Sequence, residues 1–172
     1  MSKTELLLGS GSRHEKQIYP TGGSRDWNNL VTVDINPDHN PTVQWDLNDH
    51  PYPFEDDSMD EIHAYDVLEH LGRQGDYQYF FKEWTDFWRI LKPGGHFCAI
   101  VPKHDSVWAW ADPSHTRVIP MEQLLFLSQN TYREQVGKTA ISDFRYIYEA
   151  DFEIVSVSDD ADRNFFVLRA MK

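Results

Sequence analysis

Apolar residues come along this chain in short blocks, and the blocks alternate between two patterns. Short continuous runs predict strands buried on both faces, whereas apolar positions three and four apart predict helix. The first run, Glu5 to Leu8, and the second, Val31 to Asp34, read as strands. Thr42 to Trp45, ending at Asp46, and Glu61 to Ala64 add a third and a fourth. Between the first two, Pro20, Gly22 and Gly23 interrupt any long helix, so that crossover is expected to be short or replaced by loop. Pro51, Pro53 and the acids Glu55, Asp56 and Asp57 read as a solvated loop. From Asp76, a helix-capping residue type, Phe80, Trp84, Phe87 and Leu91 fall at helical spacing, and Tyr77, Phe81 and Trp88 widen the same face. Lys92, Pro93, Gly94 and Gly95 should stop that helix, and His96 to Val101 should be a fifth, buried strand. Pro120 to about Gln129, with Leu124, Leu125 and Leu127, predicts another helix. Residues 131 to 149 mix both patterns and predict neither. Phe152 to Val157 and Phe165 to Ala170, separated by Asp159, Asp160, Ala161 and Asp162, predict an antiparallel hairpin on a sheet edge. The expectation is an α/β chain with a Rossmann-like, mostly parallel central sheet, an antiparallel C-terminal hairpin and a shortened first crossover helix.

Composition narrows the classes of function. A chain of 172 residues is long enough for one core but not two, so a single domain over 1–172 is expected. Sixteen basic against 28 acidic residues give a net charge of −12, which opposes binding to DNA or an anionic membrane. One cysteine, Cys98, excludes an internal disulfide framework, and no N-terminal apolar stretch has the length of a signal peptide or a membrane span. A soluble, cytoplasmic protein is expected. Six tryptophans exceed what a minimal core requires, so some should line a pocket or a partner surface.

The chemistry begins where the first strand ends. Gly9 and Gly11 follow Leu8 directly, and glycines at that point let the backbone approach a ligand closely. Asp34, at the tip of the second strand, is an acid able to accept the hydroxyls of a ribose. A dinucleotide fingerprint would place a third glycine where His14 stands, and would hold a pyrophosphate on a helix N-terminus that this crossover does not offer. A nucleoside without phosphate, such as S-adenosylmethionine, needs neither.

Six stretches in order then resemble the class I S-adenosylmethionine-dependent methyltransferases: Leu6 to Arg13, Val33 to Ile35, Asp46 with Leu47, Tyr52 to Asp60, Asp66 to Leu71, and Arg89 to Phe97. The resemblance covers most of the first hundred residues and implies the methyltransferase fold with few additions. It implies that Gly9 and Gly11 lie under the methionine end of the cofactor and that Asp34 and the neighbouring Ile35 meet the ribose region. Asp46 and Leu47 would meet the adenine, and main-chain carbonyls near Ala64 and Tyr65 would face the cofactor ammonium. Arg13 stands where the family often has a further glycine; it either contacts the cofactor carboxylate or is a surface arginine.

The remaining candidates are weighed against plainer roles. Glu69 and His70 look like an acid and a base but are expected to cap and brace the start of a helix. His63 and Cys98 lie in strands and read as packing residues. Beyond the fifth strand come His104, Trp108, Trp110, Asp112, Pro113, His115 and Arg117, at the strand ends where open parallel sheets bind ligands. Asp112 followed by Pro113 also suits a helix start. His115 and His104 are the candidate catalytic bases, and the Asp-Pro-x-His-x-Arg string resembles one in a subgroup of these methyltransferases. Trp108, Trp110, Asp112 and Arg117 are the candidate acceptor-binding residues. His104, Asp112 and His115 match no metal-site spacing, so no metal is expected.

The expected function is methyl transfer from S-adenosylmethionine to an oxygen or nitrogen of a small molecule or another acceptor that is not a nucleic acid. No Asp/Asn-Pro-Pro-aromatic string follows the fourth strand and no Pro-Cys nucleophile is present, which removes the signals for nucleobase methylation. The acceptor's cover is expected from the loops near 72–78 and 103–118, from residues 131–149, or from a second subunit in a homodimer. Two other classes fit the same reading less well: a non-catalytic binding or scaffold module, and an aminopropyltransferase-like enzyme.

Overall fold

Leu6, Leu7 and Leu8 are buried in the computed structural model, which describes residues 3–20 and 23–172. The expected helix breaker Gly22 lies outside the described residues. The strands are β1 (Thr4–Leu8), β2 (Asn29–Asp34), β3 (Val43–Gln44), β4 (Met59–Tyr65), β5 (Leu91–Pro102), β6 (Phe152–Asp159) and β7 (Arg163–Ala170). Among the described residues they form one seven-stranded sheet in the order β3-β2-β1-β4-β5-β7-β6. Neighbours from β3 to β5 pair in parallel, and β7 runs antiparallel to both β5 and β6. The C-terminal hairpin therefore closes one edge, as the two β-rich runs around the charged turn predict.

The helices are α1 (Tyr77–Ile90), α2 (Trp108–Ala111) and α3 (Gln129–Gln135). Asp76 caps α1 by accepting from the Tyr79 N–H at 3.0 Å. The helix buries Phe81, Trp84, Phe87 and Ile90 against one face of the sheet, with the Trp84 ring 4.9 Å from Phe97 and 5.6 Å from Phe152. Three expectations shift here. The fifth strand starts at Leu91 rather than His96: Met59 pairs with Leu91 and Glu61 with His96, so Lys92–Gly95 is an excursion inside the strand. Residues 121–127 form a 3-10 segment rather than an α-helix, and α3 starts afresh where the Ser128 side chain accepts from the Thr131 N–H. Asp112 starts no helix; α2 precedes it, and its carboxylate accepts from the Ser114 N–H at 2.8 Å in a local turn.

The opposite face of the sheet is covered differently. Among the described residues no helix joins β1 to β2; those between Gly9 and Asn28 form loop. Strand alternation turns Glu5, Glu61 and His63 toward this loop, and Lys16 reaches in to meet them. Its Nζ lies 3.0 Å from Glu5 Oε1 and 2.9 Å from Glu61 Oε2, with all three side chains buried. His63, in a central strand, is buried and bonds both Glu61 and Tyr65. Burial lowers the affinity of Lys16 for its proton, but the two carboxylates more than offset this and raise its pKa. No described helix is long and apolar enough to cross a membrane.

Candidate active site

At the carboxyl end of β1 the chain turns on Gly9 and Gly11, both at positive φ, +54° and +52°. A side chain at Gly9 would place its Cβ 2.3 Å from Val67 Cγ2, so the loop presses directly against the chain leaving β4. A Cβ at Gly11 would meet nothing within 4 Å, so there the loop faces open space. Asp34 clamps it: Oδ2 accepts from the Gly11 N–H at 2.7 Å, Oδ1 from the Asn36 N–H at 2.8 Å, and His39 Nδ1 lies 3.2 Å from Oδ2. Burial opposes ionisation of Asp34, yet these donors hold its carboxyl below the usual carboxylate range. Two main-chain donors with the imidazole nearby leave part of the carboxylate free to accept a ligand hydroxyl. Beside it Ile35 is 61% exposed, an apolar surface at the tip of β2 suited to a ring face. Asp46 forms a turn with Asn48, and Leu47 is buried, its carbonyl accepting from the hydroxyls of Tyr52 and Tyr79. An open glycine loop, an ionised acid and an exposed apolar side chain fit a nucleoside without phosphate.

A second space adjoins this one. A cleft of about 770 Å³ opens beyond β4 and β5, lined by Asp66, Glu69, His70, Trp108, Asp112 and His115 and by the β6–β7 turn from Asp160 to Arg163. Two distant segments are stitched together at its floor. The Glu69 carbonyl accepts from the Thr116 N–H at 2.9 Å, and the Leu68 carbonyl from Arg117 Nε at 2.8 Å. This places His115 Nε2 3.9 Å from Glu69 Oε1. Glu69 is buried with neither carboxyl oxygen bonded to another residue, and burial, opposed by its own main-chain N–H and by Arg117 and reinforced by Asp66 and Asp112, pushes its pKa up to about 8. Asp66, just past the end of β4, has φ +52° without being glycine; although exposed, it is desolvated enough on the cleft side to raise its carboxyl pKa.

The sequence-derived candidates divide accordingly. His115, Trp108 and Asp112 line the cleft. His104 is exposed and is not among its lining residues; its carbonyl accepts from the indole of Trp110, which is 71% exposed. Trp110 is not among the lining residues either, so the expected aromatic wall reduces to Trp108. Arg117 was expected at the acceptor and is instead buried, its Nη2 bonded to both oxygens of Glu83 at 2.9 and 2.8 Å. It ties the cleft loop to α1. Ala64 is buried in the sheet, and the Tyr65 hydroxyl accepts from the N–H groups of Gln17 and Ile18, so that side chain braces the β1–β2 loop. Glu69 was expected to cap a helix, but it sits in a 3-10 turn, Leu68–His70, that ends there. Its one sequence signal was an acid beside a histidine just past a buried strand; Asp66 had only its membership of the same string.

Sheet order, glycine turn and strand-tip acid together are those of the Rossmann-like methyltransferase fold. A family model described as a methyltransferase domain matches residues 8–99, more than half of the chain, and the chain belongs to that family. By fold it is similar to a SAM-dependent methyltransferase from Archaeoglobus fulgidus, with 16% identity over 98% of this chain and 86% of that one and a TM-score of 0.59. It is also similar to the complex between the Haloferax volcanii Trm112 methyltransferase activator and the putative methyltransferase, at 16% identity, 99% and 84% coverage and a TM-score of 0.63. A third structure, of the cyclase SpnF, aligns at 11% identity, 99% and 76% coverage and a TM-score of 0.58. No curated protein matches the chain. At these identities the likeness concerns the fold, and one fold hosts several chemistries.

Proposed function

We propose that the chain transfers a methyl group from S-adenosylmethionine to an oxygen or nitrogen of an acceptor that is not a nucleic acid, held in the cleft between Asp66 and Arg163. The observation that carries this reading is the contact of the two spaces: Gly9 abuts Val67, and Val67 lies between Asp66 and the Glu69 turn. A ligand over the glycine loop and a ligand in the cleft would be neighbours. The Gly9–Gly11 loop would hold the methionine end, Asp34 a ribose hydroxyl, and Ile35, Asp46 and Leu47 the adenine side. When bound, S-adenosylmethionine supplies a methyl group already activated on a sulfonium. The protein's task is therefore chiefly to bring the acceptor into line and to exclude water. For a hydroxyl acceptor, His115 removes the proton. Its Nδ1 lies 3.3 Å from the Ala109 carbonyl, which can only accept, so the ring hydrogen sits there and Nε2 is the free base. An amine acceptor needs only to arrive neutral.

Calorimetry with Asp34→Ala tests the cofactor half of this reading. Losing charge-assisted bonds of this kind should weaken S-adenosylmethionine binding by about 10- to 100-fold, with Asp34→Asn intermediate. Unchanged affinity in a folded Asp34→Ala protein overturns the assignment. Formation of S-adenosylhomocysteine on mixing the protein with labelled cofactor and fractionated small molecules tests catalysis; binding without turnover across all fractions would favour the scaffold class.

A further inference from the structure

The side chains on the cleft floor are arranged for more than proton transfer. One ligand atom from each of Glu69, His70 and His115 lies within 4.8 Å of the other two. Hydrogen bonds behind the rings fix their tautomers. The Ala109 carbonyl takes the Nδ1 hydrogen of His115, leaving Nε2 with its lone pair. Ser114 Oγ donates to Asp112 and so accepts from His70 Nδ1 at 3.1 Å, which leaves the Nε2 lone pair of His70 unshared as well. A carbonyl behind one imidazole and a carboxylate-backed hydroxyl behind the other is the outer-shell support that metal-binding histidines use. Glu69 is 2% exposed and neither of its carboxyl oxygens is bonded to another residue. His115 Nε2 faces Glu69 Oε1 at 3.9 Å and Asp112 Oδ2 at 4.0 Å, beyond hydrogen-bond reach. Donor atoms from three side chains thus cluster with no hydrogen bond among them, and a buried carboxyl of this kind either holds its proton or meets a cation.

We propose that Glu69, His70 and His115 form a binding site for a first-row divalent cation of the Zn²⁺, Co²⁺ or Mn²⁺ class, with its open coordination position facing the acceptor cleft. Two imidazoles and one carboxylate are a donor set these ions share, and hard oxygen-seeking Mg²⁺ is disfavoured by the two nitrogens. The side chains must draw together to roughly 3.3 Å, the separation that tetrahedral bonds of ~2.0 Å impose. Three protein ligands leave a position for water or an acceptor hydroxyl, whose proton such an ion makes acidic. Only this last consequence rests on the methyl-transfer reading: in the ion-free protein His115 takes the acceptor proton, and in the loaded protein its lone pair is occupied and the ion replaces it.

The test uses the full chain stripped with chelator, without S-adenosylmethionine. Co²⁺ titration followed by visible d–d absorption and Zn²⁺ titration by calorimetry should each saturate at one equivalent, and Zn²⁺ should bleach the Co²⁺ bands. Glu69→Gln and His115→Ala should each weaken binding by more than about 100-fold, because loss of an outer-shell partner alone costs about 10- to 100-fold. Circular dichroism checks that both fold, and the half-buried His70→Ala substitutes for either that does not. Absence of saturable binding up to about 1 mM metal, or binding undiminished in the folded variants, overturns the site. Either result leaves methyl transfer standing, because S-adenosylmethionine affinity is read separately at Asp34.

Discussion

In the metal-free protein Glu69 keeps a proton up to about pH 8, whereas in the unfolded chain the same group releases it near its ordinary value of 4.5. Between those values the native state binds the extra proton, so stability must fall as pH rises through the window and level off above about 8. Chelator-treated protein should therefore show a urea midpoint that declines from about pH 5 to about pH 8.5. Glu69→Gln, which cannot ionise, should flatten that decline and be the more stable protein at the alkaline end. A slope that persists in Glu69→Gln would place the linkage on another group. Asp34 has the opposite sign: its pKa is depressed, so the stability it adds is present above the usual carboxylate range and is lost only as pH falls below it. The two acids of the site were not equally legible in the sequence. Asp34 follows a recognisable strand, and its role depends on position in that strand. Glu69 is set by what surrounds it, and its neighbours His115 and Arg117 come from a segment more than forty residues away, a proximity no local pattern contains.

At the scale of elements, what replaces the first crossover helix is an ion lattice. Lys16 lies between Glu5 and Glu61, 11 and 45 residues distant in sequence, and Asn28 closes the other side of Glu5. Hydrogen bonds from His63, Lys16 and Lys3 overcome burial and hold Glu61 well below the ordinary carboxylate range. Lys16→Met leaves the buried Glu5 without a cation and Glu61 with only Lys3 and His63, and breaking a buried pair of this kind costs about 3–5 kcal/mol. Lys3→Met, which removes a half-exposed partner of Glu61, should cost at most about 1 kcal/mol. Urea titration of both separates the readings: equal effects would mean that the loop, not the buried charge, sets the loss. Broken helix propensity was visible in Pro20 and Gly23, but the substitute was not, because an isolated lysine in a loop looks solvated until the strands beneath it are paired. Where the determinants are local the reading held: the spacing of Phe80, Trp84 and Phe87 made α1, and the β-rich runs on either side of Asp159–Asp162 made the hairpin. It failed at residues 121–127, where 3-10 and α-helix share the three-residue spacing, and at Asp112, whose capping carboxylate serves a turn instead.

Across the whole molecule the two spaces are built with different rigidity. The cofactor crevice is made from the tips of β1 and β2, whose pairing extends the length of β1 and continues into β4. The cleft proposed for the acceptor is assembled from the β4 exit, the segment from Lys103 to Arg117, and the β6–β7 turn, which are far apart in sequence. Asp162 joins two of them: its carbonyl accepts from the Lys103 N–H at 2.8 Å and its carboxylate from Ser106 Oγ at 2.8 Å, while Lys103 Nζ reaches Asp159 at 2.8 Å. Ser106 in turn starts the turn that carries Trp108, accepting from its N–H at 3.2 Å. Removing the carboxylate in Asp162→Ala deletes a bond worth about 1 kcal/mol from the latch rather than from the sheet. Amide exchange should then quicken over residues 103–111, and KM for the acceptor should rise. S-adenosylmethionine affinity should stay within about twofold, as expected for sites that share no partners. A matching loss of cofactor affinity would show that the hairpin latch supports the glycine loop too, and that the crevice and the cleft move as one unit.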